Sequence, residues 1–136
     1  DVVTGKGARA ELVHDDGKIE CCYFDGEILV DDVVGTFDEN RFSYDGQQLA
    51  KEVIRQYHKR EQAAWVEAVS EAKERAKKQD VADWRELCEH EPEPLPETVL
   101  ETASEMYRAG ANAYLGRELF DAPPLSEAVE AVRDLG

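Results

Sequence analysis

The chain has 136 residues, with 16 Lys and Arg against 31 Asp and Glu, which gives a formal charge of −15. That length suits one domain with a core of its own, and 42% hydrophobic with 35% charged residues excludes a disordered chain. So negative a molecule repels nucleic acid and anionic membrane surfaces, and no stretch approaches the eighteen or so apolar residues of a membrane span.

Taken in chain order, the first 45 residues read as β structure. Strands are expected over 8–13 and 19–24, joined by the turn Asp15-Asp16-Gly17-Lys18. A second pair, Asp25-Gly26, leads into a strand over 27–30, and a further strand covers 41–44. Asp-Gly between apolar runs marks a tight hairpin, because Gly takes positive φ without steric penalty. The expectation is an antiparallel meander of three or four strands, which needs a helix to cover it.

From 47 to 78 there is no Pro or Gly, so one helix about 48 Å long is expected, capped by Asp45. Its apolar stripe begins with Val53, Ile54, Tyr57 and Trp65 and continues as Ala68, Val69, Ala72 and Ala76. Bulky residues suit packing on the sheet, while alanines admit a close helix neighbour. Asp80 is placed to cap a helix over 81–88, and the Pro-rich linker 91–96 separates it from the next. A helix is expected from Pro96 to about Leu115, ended by Gly116, and a last one over 127–135, capped by Ser126. The fold class is α+β: a small antiparallel meander, one long helix and three shorter ones, in a single domain over 1–136 (sheet 1–45, long helix 47–78, helical part 80–136).

Motifs for chemistry are sparse. Thr4-Gly5-Lys6-Gly7 lacks the spacing of a phosphate loop and precedes a strand rather than a helix, so it reads as an N-terminal arm. Cys21 and Cys22 are adjacent in a strand and point to opposite faces, and Cys88 with His90 has no matching second pair. These cysteines read as small buried hydrophobes, and no metal or cofactor is indicated. Their odd number argues against a disulfide framework and for a reducing compartment. No Cys, Ser or His pairing marks a nucleophile, and His14 and His58 read as solvated. Carboxylates are too numerous for any two to stand out as acid and base. Trp65, Trp84, Met106 and Tyr107 read as packing residues.

Half of the basic residues lie between 47 and 78, where eight cations face five carboxylates. Lys51, Arg55 and Lys59 form an i, i+4 row of like charge, with Arg60 beside them. Read as an interface, this row with Ala68, Ala72 and Ala76 meets other protein subunits or a second copy; the bland alternative is a solvated helix face. The opening Val3–Ala10, followed by a short hairpin, is similar to segments of tailed-virus structural proteins. That resemblance implies a structural or assembly subunit acting by protein–protein contact, a virion component of a salt-loving host. The alternative is a small acidic cytosolic enzyme or ligand-binding domain whose site is not legible. Either reading places the chain in the cytoplasm or a virion, neither secreted nor membrane-bound; it lacks a leader, and its start at Asp1 without Met fits a trimmed or processed chain or an ordered part.

Acid spread along the whole chain, with only seven Lys, fits either an ordinary acidic protein or adaptation to molar salt, and favours the second. At molar ionic strength self-repulsion is screened over about 3 Å. The melting temperature is therefore expected to rise between dilute buffer and molar KCl, and a flat salt series would remove this reading.

Overall fold

A computed structural model describes residues 2–136. Helix α1 (Val2–Arg9) leads into β1 (Leu12–Gly17), β2 (Cys21–Phe24), β3 (Glu27–Val30), β4 (Asn40–Tyr44) and β5 (Gln47–Gln48). Helices α2 (Lys51–Glu61) and α3 (Ala63–Gln79) follow, then a 3₁₀ turn at Trp84–Leu87, α4 (Glu97–Leu115) and α5 (Leu125–Asp134). The α+β class is as expected, with small antiparallel sheets preceding a helical body.

The strand order differs from a sequential meander. One sheet runs β1-β4-β5, and β2-β3 form a separate antiparallel pair. Three Asp-Gly pairs compete to make turns, and their surroundings decide between them. Asp25-Gly26 and Asp45-Gly46 both take positive φ, at 48° and 85° and at 45° and 76°, the geometry of two-residue hairpin turns. Asp16-Gly17 does not turn. It stays in β1, opposite Arg41 and Asn40, with the Lys18 amide donating to the Glu39 carbonyl. Asp45 is thus spent on the β4–β5 turn and does not cap a helix. Ala50 starts α2 instead, at φ 62°.

Four further expectations are corrected. The N-terminal arm is a helix, whose Gly7 lies against the Phe42 ring; a Cβ there would stand 3.2 Å from it. The long helix is broken at Gln62, which takes φ −128° and ψ 43°. Its side-chain amide donates to the Glu93 carbonyl at 3.0 Å and accepts from the Glu93 amide at 3.1 Å. One Gln side chain thereby substitutes for a strand partner and holds the Pro-rich segment to the break. Asp80 closes α3 in the left-handed region, and Asp83 caps the 3₁₀ turn by accepting from the Arg85 amide. Gly116 ends α4 at φ 64°, as the spacing predicts, while Pro124 rather than Ser126 opens α5.

The core gathers Leu12 and Phe42 from the sheet, Leu49 and Val53 at the start of α2, Met106 and Ala109 of α4, and Val129 and Val132 of α5. Trp65 and Trp84 stay half-buried at its margin, since α3 reaches beyond the sheet. Trp84 instead lies under Lys73 and Arg85, whose charged ends stand 5.1 and 5.2 Å from its ring. Among the described residues no helix is long and apolar enough to cross a membrane.

Gly110 of α4 fixes the loop before β4. A Cβ at this position would stand 2.3 Å from the Phe37 ring, so the ring rests directly on the helix backbone. Gly110→Ala gains roughly 0.5–1 kcal/mol of helix propensity but displaces Phe37, at about 1–3 kcal/mol for overpacking. Urea denaturation is expected to show a lower midpoint for Gly110→Ala, and an unchanged or higher midpoint would contradict this packing.

Candidate functional site

The segment between β3 and β4 positions a two-part cleft. Thr36 organises it locally, its carbonyl accepting from the Asn40 amide at 3.0 Å. Phe37 then points onto α4, and Asp38 sits where two cavities meet. The first, of about 350 Å³, is apolar and walled by Phe37, Tyr107, Tyr114 and Leu115. The second, of about 300 Å³, is charged and walled by Asp16, Lys18, Glu39, Arg41, Lys51 and Arg55. Asp38 lines both.

Aromatic contacts set the first wall. The Phe37 ring lies 5.3 Å from Phe42 and 6.1 Å from Tyr107, and Phe42 meets Tyr114 edge-on at 5.7 Å. The Tyr107 hydroxyl donates to Asp38 Oδ1 at 3.3 Å. Burial, with the Asp38 charge and hydrogen bond adding to it, pushes the Tyr107 phenol up to about 12. Tyr107 therefore stays a proton donor to Asp38 throughout the ordinary pH range.

In the second part, Arg41 holds Asp16 through both guanidinium donors. Their hydrogen bond keeps the Asp16 carboxyl below its ordinary range. Arg55 donates to Glu52, whose carboxyl is likewise lowered, chiefly by that bond. Lys18 pairs with Glu20, whereas Lys51 makes no ion pair among the described residues. Four cations line this wall with Asp16, Asp38 and Glu39; three of them are held in ion pairs, Lys18 by Glu20, Arg41 by Asp16 and Arg55 by Glu52. Lys51 is the lining cation with its charge available to an anionic group.

Behind the wall runs a hydrogen-bonded chain. The Thr4 hydroxyl and His14 Nδ1 are 3.0 Å apart, and His14 Nε2 lies 2.9 Å from Asn40 Oδ1. Asn40 is buried, and Gly17 opposite it leaves room for the amide, because a Cβ there would fall 2.1 Å from Oδ1. His14 also stacks at 5.1 Å on Phe42, so it is built into the scaffold rather than solvated. His58 is likewise half-buried, 4.8 Å from the Trp65 ring.

The residues expected to form one interaction face divide. Lys51 and Arg55 join the cleft, where Lys18 and Arg41 meet them from the sheet. Lys59 stays exposed outside it. Arg60 turns to the far end of the molecule and donates to the Leu135 carbonyl. Ala68 is half-buried, and Ala72 and Ala76 are buried within this chain, the latter accepting from the Val81 amide through its carbonyl. Cys21 and Cys22 are exposed, not buried, because their strand pair has nothing packed over it; Cys88 is half-buried, and all three are free thiols. Sequence reading missed Asp38, Arg41 and Tyr107. The signal available was the turn segment Thr36–Arg41 itself, which places charged and aromatic side chains side by side.

No family model matches the chain, and no solved structure matches it. A curated protein of Archaeoglobus fulgidus, named "Putative phosphoribosylaminoimidazole-succinocarboxamide synthase", is 38% identical over 136 residues, covering 99% of this chain. The chain spans 38% of that relative's length. Near full-length similarity to a protein named as an enzyme overturns the reading of a structural or virion subunit. The resemblance behind that reading rested on Val3–Ala10, most of which is helix α1 rather than the lead-in to a hairpin.

Tyr107 gives the site a pH signature. Its raised folded value means that its stabilising contribution is complete below about pH 10, the ordinary phenol value, and is lost as pH rises through about 12. Of the five tyrosines, burial raises both Tyr44 and Tyr107, and Tyr107 is expected to ionise last in an ultraviolet titration; Tyr107→Phe should remove that last phase. Retention of the late phase in the variant would assign it elsewhere.

Proposed function

We propose that this chain supplies a ligand-holding cleft of a carboxamide-forming synthase of the kind its Archaeoglobus relative is named for. The single observation that carries the reading is 38% identity along 99% of the chain. That relative's name describes a product with a phosphoribosyl group, an amino-substituted imidazole ring, and a succinate joined through a carboxamide. Such a molecule combines a flat ring with a phosphate and two carboxylates.

The two-part cleft suits that chemistry. The ring takes the aromatic cavity against Phe37 and Tyr107, where planar stacking contributes beyond simple burial. The anionic groups face Lys51, Arg55 and Lys18. Asp38, between the cavities, accepts from the ring amino group or from an amide N–H. In this reading the residues bind and orient. Arg41 works through Asp16, holding the sheet edge in place beneath the ligand.

The test is titration calorimetry with the named succinocarboxamide and the double variant Lys51→Glu, Arg55→Glu. A charge-assisted contact is worth about 1.5–3 kcal/mol, so the variant should bind at least about tenfold more weakly. Both side chains are largely outside the core, so its melting temperature should change little. Equal affinity for the variant and the original chain would overturn this assignment of the cleft.

A further inference from the structure

Of the strands, β2 and β3 alone are exposed at every residue. Tyr23 and Ile28 are 76% exposed and Phe24 is 71% exposed. Cys21 pairs with Val30, Cys22 with Leu29 and Tyr23 with Ile28. Side chains alternate along a strand, and paired residues share a face. Cys21, Tyr23, Ile28 and Val30 therefore form one apolar face, and Cys22, Phe24 and Leu29 form the other, with Glu27 at its end opposite Phe24. A hairpin meant for water on one side alternates apolar with polar. Near-continuous apolar runs belong to strands covered on both faces.

This hairpin is therefore built to be enclosed. An isolated two-stranded pair is marginal in water, and contiguous exposed apolar surface of this kind marks an interaction site. A second copy does not suit it. A twofold contact presents one patch to itself, which covers a single face and leaves the other wet. Glu20, Asp25, Glu27, Asp31 and Asp32 also stand at the ends and flanks of the hairpin, so two copies would bring like charges together. The Archaeoglobus relative, in contrast, has most of its length outside the match.

We infer that β2–β3 is the inner strand pair of a larger sheet, completed by polypeptide of the kind that makes up the unmatched part of that relative. That polypeptide packs a layer against each face of the hairpin and pairs with a free strand edge. The inference rests on the hairpin's two-faced apolarity and the relative's length, and is independent of the reaction the relative performs.

Hydrogen exchange read by mass spectrometry tests it on residues 21–30 of this chain and on the matching segment of the full-length Archaeoglobus protein. Enclosure predicts amides exchanging at least about a hundredfold more slowly in the longer protein, in the range that separates a core strand from a local opening. Equal exchange in the two would overturn the proposal. In this chain alone, Cys21 and Cys22 report one face each and should both react with iodoacetamide at every protein concentration. Concentration-dependent protection of either thiol, with a dimer mass, would assign the surface to a second copy and overturn the proposal. The variant Tyr23→Lys, Ile28→Lys should leave the melting temperature of this chain unchanged, because both side chains already face water. The same charges at the matched positions of the longer protein should lower its melting temperature, and no effect there would also count against enclosure.

Discussion

The structure turns on the burial of one aromatic side chain. Phe42, on β4, has no solvent exposure, and four separate parts of the chain close on it. Gly7 of α1 lies against one edge of its ring, His14 of β1 stacks near its face, and Phe37 and Tyr114 bring the preceding loop and α4 into contact. Truncating a ring so placed costs about 3–5 kcal/mol, a large share of the stability of a domain this size.

The cleft is a consequence of that arrangement. Because Phe37 must reach both Phe42 and the bare backbone at Gly110, the residues after it emerge at a fixed angle between sheet and helix. Asp38 then points to Tyr107 on one side, while Arg41 returns along β4 to pair with Asp16 on the other. A single short segment thus separates an apolar cavity from a charged one.

This geometry also explains why the sequence led toward a contact-only protein. The residues lining the cleft come from β1, the loop, β4, α2 and α4, and of the cations only Lys51 and Arg55 on α2 share a regular spacing. The basic row on α2 was legible, but its meaning was not. Lys51 and Arg55 acquire a role from Lys18 and Arg41, which lie far away in sequence and adjacent in space. Lys59, one turn further along α2, is exposed outside the cleft, and Arg60 donates to the Leu135 carbonyl instead. Nor could periodicity reveal the break, which is made by a Gln whose side chain finds Glu93 across a loop.

Local chemistry was enough for several elements. The α+β class, the hairpin at Asp25-Gly26, the stop at Gly116 and the inward faces of Val53 and Met106 follow from residue type and spacing, because each depends on neighbours within a turn or two. Tertiary contacts decided everything that required choosing among equivalent local signals. Three Asp-Gly pairs carry the same turn propensity, yet Asp16-Gly17 stays extended because Arg41 and Asn40 pair with it from another strand. Residues 47 and 48 have helix-compatible side chains, yet they complete a strand because β4 offers an open edge. Sequence set which residues could turn, cap or bury; long-range pairing, whose energy no single segment contains, settled which of them did.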